Sequence, residues 1–218
     1  MRADLQLTTV HELNRMFFSQ LDLACCYKIV DKYSPSFELV TFLKSLNFTH
    51  CFSRSGRQSI YFGDFAYSYA GGQHKANPLN ANQYVFEMFC YIRHTFPLFD
   101  VNSCLINYYP NSSSSIPFHA DDEPCIEPGS IIFTISLGAT RTLSFKQAGR
   151  CCSNELMCIK HCLNIEISHG DIVVFSKSSQ DKFVHGILPE RGCLHSPRVS
   201  ATFRKITGQV LPPELESK

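Results

Sequence analysis

Apolar positions along the chain fall into two textures. In the first hundred residues they recur at helical spacing. Thr9 stands three residues before Glu12, as in a capping box, and Val10, Leu13, Phe17 and Leu21 then share one face. A second helix is expected to start at Ser34-Pro35 and to run through Leu39, Phe42, Leu43 and Leu46 to a stop near Asn47. A third fits Asn80 to Thr95, with Val85, Met88, Phe89 and Ile92 at core spacing. Between the last two, RSGRQSIYFGDFAYSYAGGQHKANP mixes Gly, Tyr and scattered basic residues and reads as loop.

From Val101 the pattern shortens to β-type runs, VNSCLINYY, SIIFTISL, RTLSFK, LNIEI, DIVVF and RVSATFRKI, broken by Gly, Pro, Asn and Ser. Such spacing predicts an all-β sandwich or barrel with helices laid against it, an α+β chain overall. No internal repeat is visible, and the 218 residues suit one domain with a substantial core.

Composition narrows the classes. With 44% hydrophobic and 18% charged residues the chain is neither disordered nor collagen-like nor a coiled coil. No apolar run is long enough for a membrane span, and the first residues show no secretory signal, so an intracellular, cytoplasmic protein is expected, with the nucleus also open to it. A net charge of +1 leaves any nucleic-acid partner to a local patch. Eleven cysteines, an odd number, suit free thiols or a metal site better than a disulfide framework. Trp is absent, so base stacking would fall to Tyr, Phe or His.

The candidate chemistry lies in the second half. In Ile116-Pro117-Phe118-His119-Ala120-Asp121 an imidazole and a carboxylate stand two residues apart, which on a strand points both to one face. His185, in a later apolar run, offers a third donor. Two His and one carboxylate make the facial triad of non-heme Fe(II) oxygenases. In Arg198-Val199-Ser200-Ala201-Thr202-Phe203-Arg204 the even positions are polar and the odd ones apolar, so both guanidiniums share a face. Six positions separate them, about 20 Å of strand, so they serve separate spots. Arg198 would suit the far carboxylate of a small diacid, which its fork pairs through two parallel bonds. Asn107 and Tyr109 again share parity and offer an amide and a phenol.

These residues resemble the AlkB-type 2-oxoglutarate and Fe(II)-dependent dioxygenases. Asn107-x-Tyr109, His119-x-Asp121-x-Glu123, His185 and Arg198-x-Ser200-x-Thr202-Phe203-Arg204 stand in that family's order. SSIPFHADDE followed by ISLGATRTLSFK is similar to the AlkB domains of positive-strand RNA virus replicase polyproteins. With YFGDFAYSY the resemblance covers roughly residues 37 to 206.

The resemblance implies a double-stranded β-helix, or jelly roll, over 101–206, with helices and a nucleotide-recognition lid in 1–100 and a tail over 207–218. It implies Fe(II) held by His119, Asp121 and His185. The co-substrate 2-oxoglutarate would have Arg198 on its far carboxylate, with Asn107, Tyr109, Ser200 and Arg204 in support; many members carry Asn where this chain has Ser200. The implied reaction is oxidative demethylation of nucleobases such as 1-methyladenine or 3-methylcytosine in RNA or single-stranded DNA. O2 is consumed, ascorbate serves as reductant, and formaldehyde, succinate and carbon dioxide are released. The lid would lie in Arg57 to Gly71. Tyr67 and Tyr69 match its Tyr-x-Tyr element, Tyr61 or Phe62 supplies a stacking face, and Glu123 reads the base edge. Arg54, Arg57 and Lys75 would form a modest phosphate patch. The chain is expected to act as a monomer, without a membrane.

An alternative is a 2-oxoglutarate-dependent hydroxylase or demethylase of a protein or small molecule, which would keep the iron and Arg198 but not need the tyrosines. A turnover-free binding module is disfavoured by His119, Asp121, His185 and Arg198 together. Cys151, Cys152, Cys158, His161 and Cys162, with Cys193 and His195 later, match no zinc-finger spacing and fit free thiols in and around a hairpin better than a zinc site.

Overall fold

The computed structural model describes residues 5–9, 26–29, 31–69, 72–148, 163–190 and 196–208. The helix expected from Thr9 onward and the cysteine-rich cluster fall outside them.

The amino-terminal part carries β1 (Leu5–Thr8), β2 (Cys26–Ile29), α1 (Leu39–Lys44), β3 (His50–Phe52), β4 (Arg57–Gly63), β5 (Tyr67–Tyr69), β6 (Gly72–His74) and α2 (Gln83–Thr95). Then come β7 (Ser103–Tyr109), β8 (Ile116–His119), β9 (Ile131–Gly138), β10 (Arg141–Gln147), β11 (Leu163–Ile167), β12 (Ile172–Ser176), β13 (Phe183–Ile187) and β14 (Arg198–Arg204). The large sheet has the order β1-β2-β12-β9-β14-β7-β4-β3, the small one β11-β10-β13-β8, and β5-β6 pair only with each other. Apart from the parallel β1-β2 pair, neighbouring strands are antiparallel. This is the expected jelly roll, with the small sheet facing the large one and helices covering the large sheet's other side.

Period-2 alternation builds both cores at once. Val199, Ala201 and Phe203 of β14, with Phe133 and Ile135 of β9, meet Val85, Met88 and Ile92 of α2. From the opposite face, Ile132, Val173, Phe175 and Leu105 meet Leu143, Phe145, Ile165 and Ile187 of the small sheet. All seven residues of β14 are therefore buried, polar ones included. At the end of β9, Gly138 (φ +91°) permits a turn in which a Cβ would lie 2.3 Å from the Pro197 carbonyl oxygen, so only glycine fits.

Three expectations are corrected. The amino-terminal part is not purely helical: β2 and β4 lie inside the large sheet and β1 and β3 form its two edges. The supposed loop from Arg54 onward contains β4 and the β5-β6 hairpin. In β4 only Gln58 escapes full burial, because Ile60 and Phe62 face the helices while Ser59 and Tyr61 face the interior, so the alternation of a half-buried strand is missing. The second helix is also shorter than expected. Ser36 donates through its N–H (3.1 Å) and its hydroxyl to the Glu87 carboxylate of α2, and Tyr33 donates its hydroxyl to the same group (2.8 Å), which holds this stretch out of the helix. The third helix starts at Gln83, where the Asn82 side chain accepts from the Tyr84 and Val85 N–H groups. Among the described residues no helix is long and apolar enough to cross a membrane, and Cys51, Cys90, Cys104 and Cys125 are free thiols.

Asp171 pins β2 to the turn before β12. Its carboxylate meets Lys28 at 2.8 Å and Lys32 at 3.1 Å and accepts the Ser168 N–H at 2.7 Å. Burial pushes its pKa up, but the bonds from Lys28, Ser168 and Lys32 more than offset this and leave it below the ordinary carboxylate value. A depressed folded pKa stabilises fully above the unfolded value, about 4, and the gain fades as pH falls through the lower folded value. Asp171→Asn should therefore cost about 2 kcal/mol at pH 7 by denaturant unfolding, with the gap to wild type closing on acidification. Equal stabilities at pH 7 would show that the pin contributes nothing.

Candidate metal centre and its cavity

β8 and β13 pair so that His119 and His185 stand opposite each other, with ring centroids 4.4 Å apart. Gly186 allows this approach, since a Cβ there would come within 2.9 Å of the Ile116 carbonyl oxygen. Asp121 joins them from the loop beyond the end of β8, so chain curvature rather than strand parity brings it in. One donor atom from each of the three lies within 4.8 Å of the others, and among the described residues no other three His, Cys, Asp or Glu side chains gather this way. His119 Nε2 is 3.7 Å from Asp121 Oδ1.

The surroundings prepare these atoms. His119 Nδ1 lies 2.9 Å from the Pro117 carbonyl; donating its proton there leaves Nε2 with its lone pair. Arg204 clasps Asp121 Oδ2 through Nε (3.1 Å) and Nη2 (2.6 Å), and the Asp121 N–H donates to Gln180 Oε1 (3.1 Å). Burial alone would raise the Asp121 pKa, yet Arg204, aided by the two imidazoles, holds it at about 2. Burial and the neighbouring His119 push His185 down to about 3, and burial lowers His119 against the pull of Asp121. The set is thus one carboxylate and two neutral imidazoles. Asp121 Oδ1 and His185 Nδ1 are buried with no hydrogen-bond partner. An orphaned carboxylate oxygen and an orphaned imidazole nitrogen in a His-Asp-His set fit a divalent metal such as Fe(II).

A cavity opens beside these groups, with about 460 Å³ of space when the open solvent at its mouth is counted. β14 runs along it, with Arg204 at the metal end, then Thr202 and Ser200, and Arg198 at the far end; Asn107 and Tyr109 line it from β7. Both guanidiniums thus face one interior at separate spots, as the alternation predicts, and the bonds of Arg204 are spent on Asp121. Arg198 is 1% exposed, gives Nε to Ser136 Oγ (3.1 Å) and lies 5.1 Å from the centre of the Tyr109 ring. Its Nη1 has no hydrogen-bond partner, and among the described residues it forms no ion pair. A buried guanidinium without an anion is a site for one.

Tyr61 and Tyr67 stack at 5.1 Å and His74 adjoins both, forming a layer that touches the cavity wall where Tyr67 meets Arg204 at 5.9 Å. Tyr61 and Tyr67 are buried, and neither they nor Glu123 are in the cavity lining. Burial raises the Glu123 pKa against the pull of Arg204. The Tyr69 side chain is outside the described set. Phe62 packs on the helix side of the large sheet and offers no stacking face. Arg57 is no phosphate ligand: it is buried, donates to Asn107 Oδ1, and lies 3.9 Å from the centre of the Phe52 ring. The sequence gives no site role to Ser136 or Gln180, and to Arg57 a different one. Ser136 alone carried a signal, its inward parity on β9.

A sequence profile of the 2OG-Fe(II) oxygenase superfamily matches residues 59–204. Human "Alpha-ketoglutarate-dependent dioxygenase alkB homolog 3" is 32% identical over 113 residues, 52% of this chain and 37% of that protein. Human "DNA oxidative demethylase ALKBH2" is 32% identical over 108 residues, 48% of this chain and 40% of that one. The "RNA replication protein" of Papaya mosaic potexvirus is 28% identical over 152 residues, 69% of this chain and 9% of that protein. The match thus spans well under half the length of each.

Gln180 holds Asp121 by its main chain without touching the donor atoms. Gln180→Leu should weaken divalent-metal binding about 10- to 100-fold, read by calorimetric titration with Ni(II), while the unfolding midpoint moves little. Unchanged affinity would remove Gln180 from the metal centre's support.

Proposed function

Since the chain belongs to the 2OG-Fe(II) oxygenase superfamily, we propose that it is an Fe(II)- and 2-oxoglutarate-dependent dioxygenase that demethylates N-alkylated bases, such as 1-methyladenine and 3-methylcytosine, in RNA or single-stranded DNA. The observation that carries the oxygenase reading is one cavity with the His119, Asp121 and His185 donors at one end and the buried, anion-free Arg198 at the other.

Bound by those three donors, Fe(II) supplies the redox chemistry with O2 and 2-oxoglutarate that no side chain has, and ascorbate keeps it reduced. The residues around it bind and orient. Arg204 keeps Asp121 ionised and holds its Oδ2, which leaves Oδ1 without a hydrogen-bond partner. Arg198 takes the distal carboxylate of 2-oxoglutarate; Ser136 occupies its Nε, and Nη1 has no hydrogen-bond partner and is left for the ligand. Asn107, Tyr109 and Ser200 add polar contacts along the wall. Arg57 aligns Asn107 from behind.

The nucleic-acid part of the reading is supported by the names of the relatives, a DNA oxidative demethylase and an RNA replication protein, and by the tyrosine layer next to Arg204. Tyr61, Tyr67 and Tyr69 would stack a base whose edge meets Glu123, each stacked base contributing about 1–3 kcal/mol. The described layer is closed, so an entering base must part it. A base from a single strand reaches this depth without the cost of unpairing.

Methylated RNA and DNA oligonucleotides incubated with protein, Fe(II), 2-oxoglutarate and ascorbate should lose one methyl group by mass spectrometry, and His119→Ala should block this. No loss on any methylated base would sink the demethylase reading. Arg198→Met should raise the KM for 2-oxoglutarate at least about 30-fold, as when one partner of a buried charge pair is removed.

A further inference from the structure

Arg141 has no part in the chemistry above, yet it is as deeply buried as the arginines that do, at 2% exposure. Three inward positions of β10 lie in a row. Phe145 packs against His185 at 5.7 Å, Leu143 lines the cavity, and Arg141 comes first, at the end away from the metal. Arg198 lies at that same end, and the Tyr109 ring has the Arg198 guanidinium at 5.1 Å and that of Arg141 at 6.0 Å.

The bonds of Arg141 form a tie. Nη2 donates to the carbonyls of Leu188 (2.8 Å) and Ser114 (3.0 Å), and Nη1 to that of Asn111 (3.3 Å). The Glu190 carboxylate lies 3.4 Å from Nε and also accepts the Thr142 N–H at 2.9 Å. Asn111 and Ser114 bracket the β7-β8 loop, and Leu188 follows β13. Each tied residue stands one or two positions from a cavity-lining one: Asn111 from Tyr109, Ser114 from Ile116, Leu188 from Ile187. Arg141 itself does not line the cavity, so it acts through these neighbours.

We infer that Arg141 is a positioning residue that fixes the far wall of the cavity and thereby selects the chain length of the 2-oxo diacid bound there. The inference rests on the reading of this cavity as the 2-oxoglutarate pocket. A wall held by four contacts to main chain and carboxylate cannot retreat to admit a longer ligand, and in a rigid pocket one additional methylene lowers affinity about 10- to 200-fold. Without the tie, the three carbonyls separate and the wall yields.

The test uses Ni(II)-loaded protein, which binds without turning over, and equilibrium dialysis with labelled 2-oxoglutarate in competition with 2-oxoadipate, its homologue with one more methylene. Wild type should prefer 2-oxoglutarate at least about tenfold. Arg141→Met should reduce that preference to less than about threefold while Ni(II) affinity is retained, and Arg141→Lys, which keeps the charge and some of the bonds, should restore part of it. Weaker binding of both diacids with the preference intact would make Arg141 merely structural and overturn the inference, as would no change at all. If wild type itself binds no 2-oxoglutarate, the reading of the pocket falls and the inference with it. Should Arg141→Met lose Ni(II) binding as well, Glu190→Gln decides: a narrowed preference supports the selection of length, and an unchanged one refutes it.

Discussion

A strand that is buried on both faces and still carries two guanidiniums sets the terms for the rest of this structure. Burying a charge is costly unless something answers it. β14 has its apolar residues against the helices and its polar ones against the second sheet, so Arg198 and Arg204 are buried, turned into the cavity and not out to the surface. Arg204 is answered within the chain by Asp121. Arg198 has the Ser136 hydroxyl, Tyr109 and the field of Glu190, but no carboxylate within ion-pairing distance among the described residues. The same backbone thus supplies a finished ion pair at one end and an unfinished one at the other.

The finished pair shapes the candidate metal centre. By holding Oδ2, Arg204 leaves Oδ1 without a partner, and Gln180 fixes the main chain that carries it. The imidazoles are kept neutral chiefly by burial, which makes their lone pairs available near neutral pH. Loss of Arg204 would do more than remove two hydrogen bonds, because the carboxylate would then be a buried charge beside two neutral rings.

Much of this was legible in the sequence because it depends on period and order. The alternation in residues 198–204 revealed which side chains turn inward, and His119, Asp121 and His185 were readable as donors by type and by their place in recurring motifs. What escaped reading depends on contacts between distant segments. β4 shows no alternation because both its faces are covered, so the sequence suggests Arg57 for a phosphate patch, whereas it is the buried partner of Asn107. Gln180 lies in a short 3-10 turn, Lys177–Asp181, with no periodic signature, and only the fold brings it to Asp121. The short second helix had an equally remote cause, since Glu87 of α2 captures Ser36 and Tyr33.

The β5-β6 hairpin joins neither of the two large ladders; its strand hydrogen bonds are satisfied between its own two strands. An isolated two-stranded ribbon is marginal by itself and relies on the side chains it packs beneath it, here the rings of Tyr61 and its neighbours. Apart from Tyr67, which packs on Arg204, it can therefore change without disturbing any ladder hydrogen bond around His119, Asp121 and His185. On the function proposed above, preference for one polymer over another could be rewritten there while the His-Asp-His set and the Arg198 pocket stay as they are.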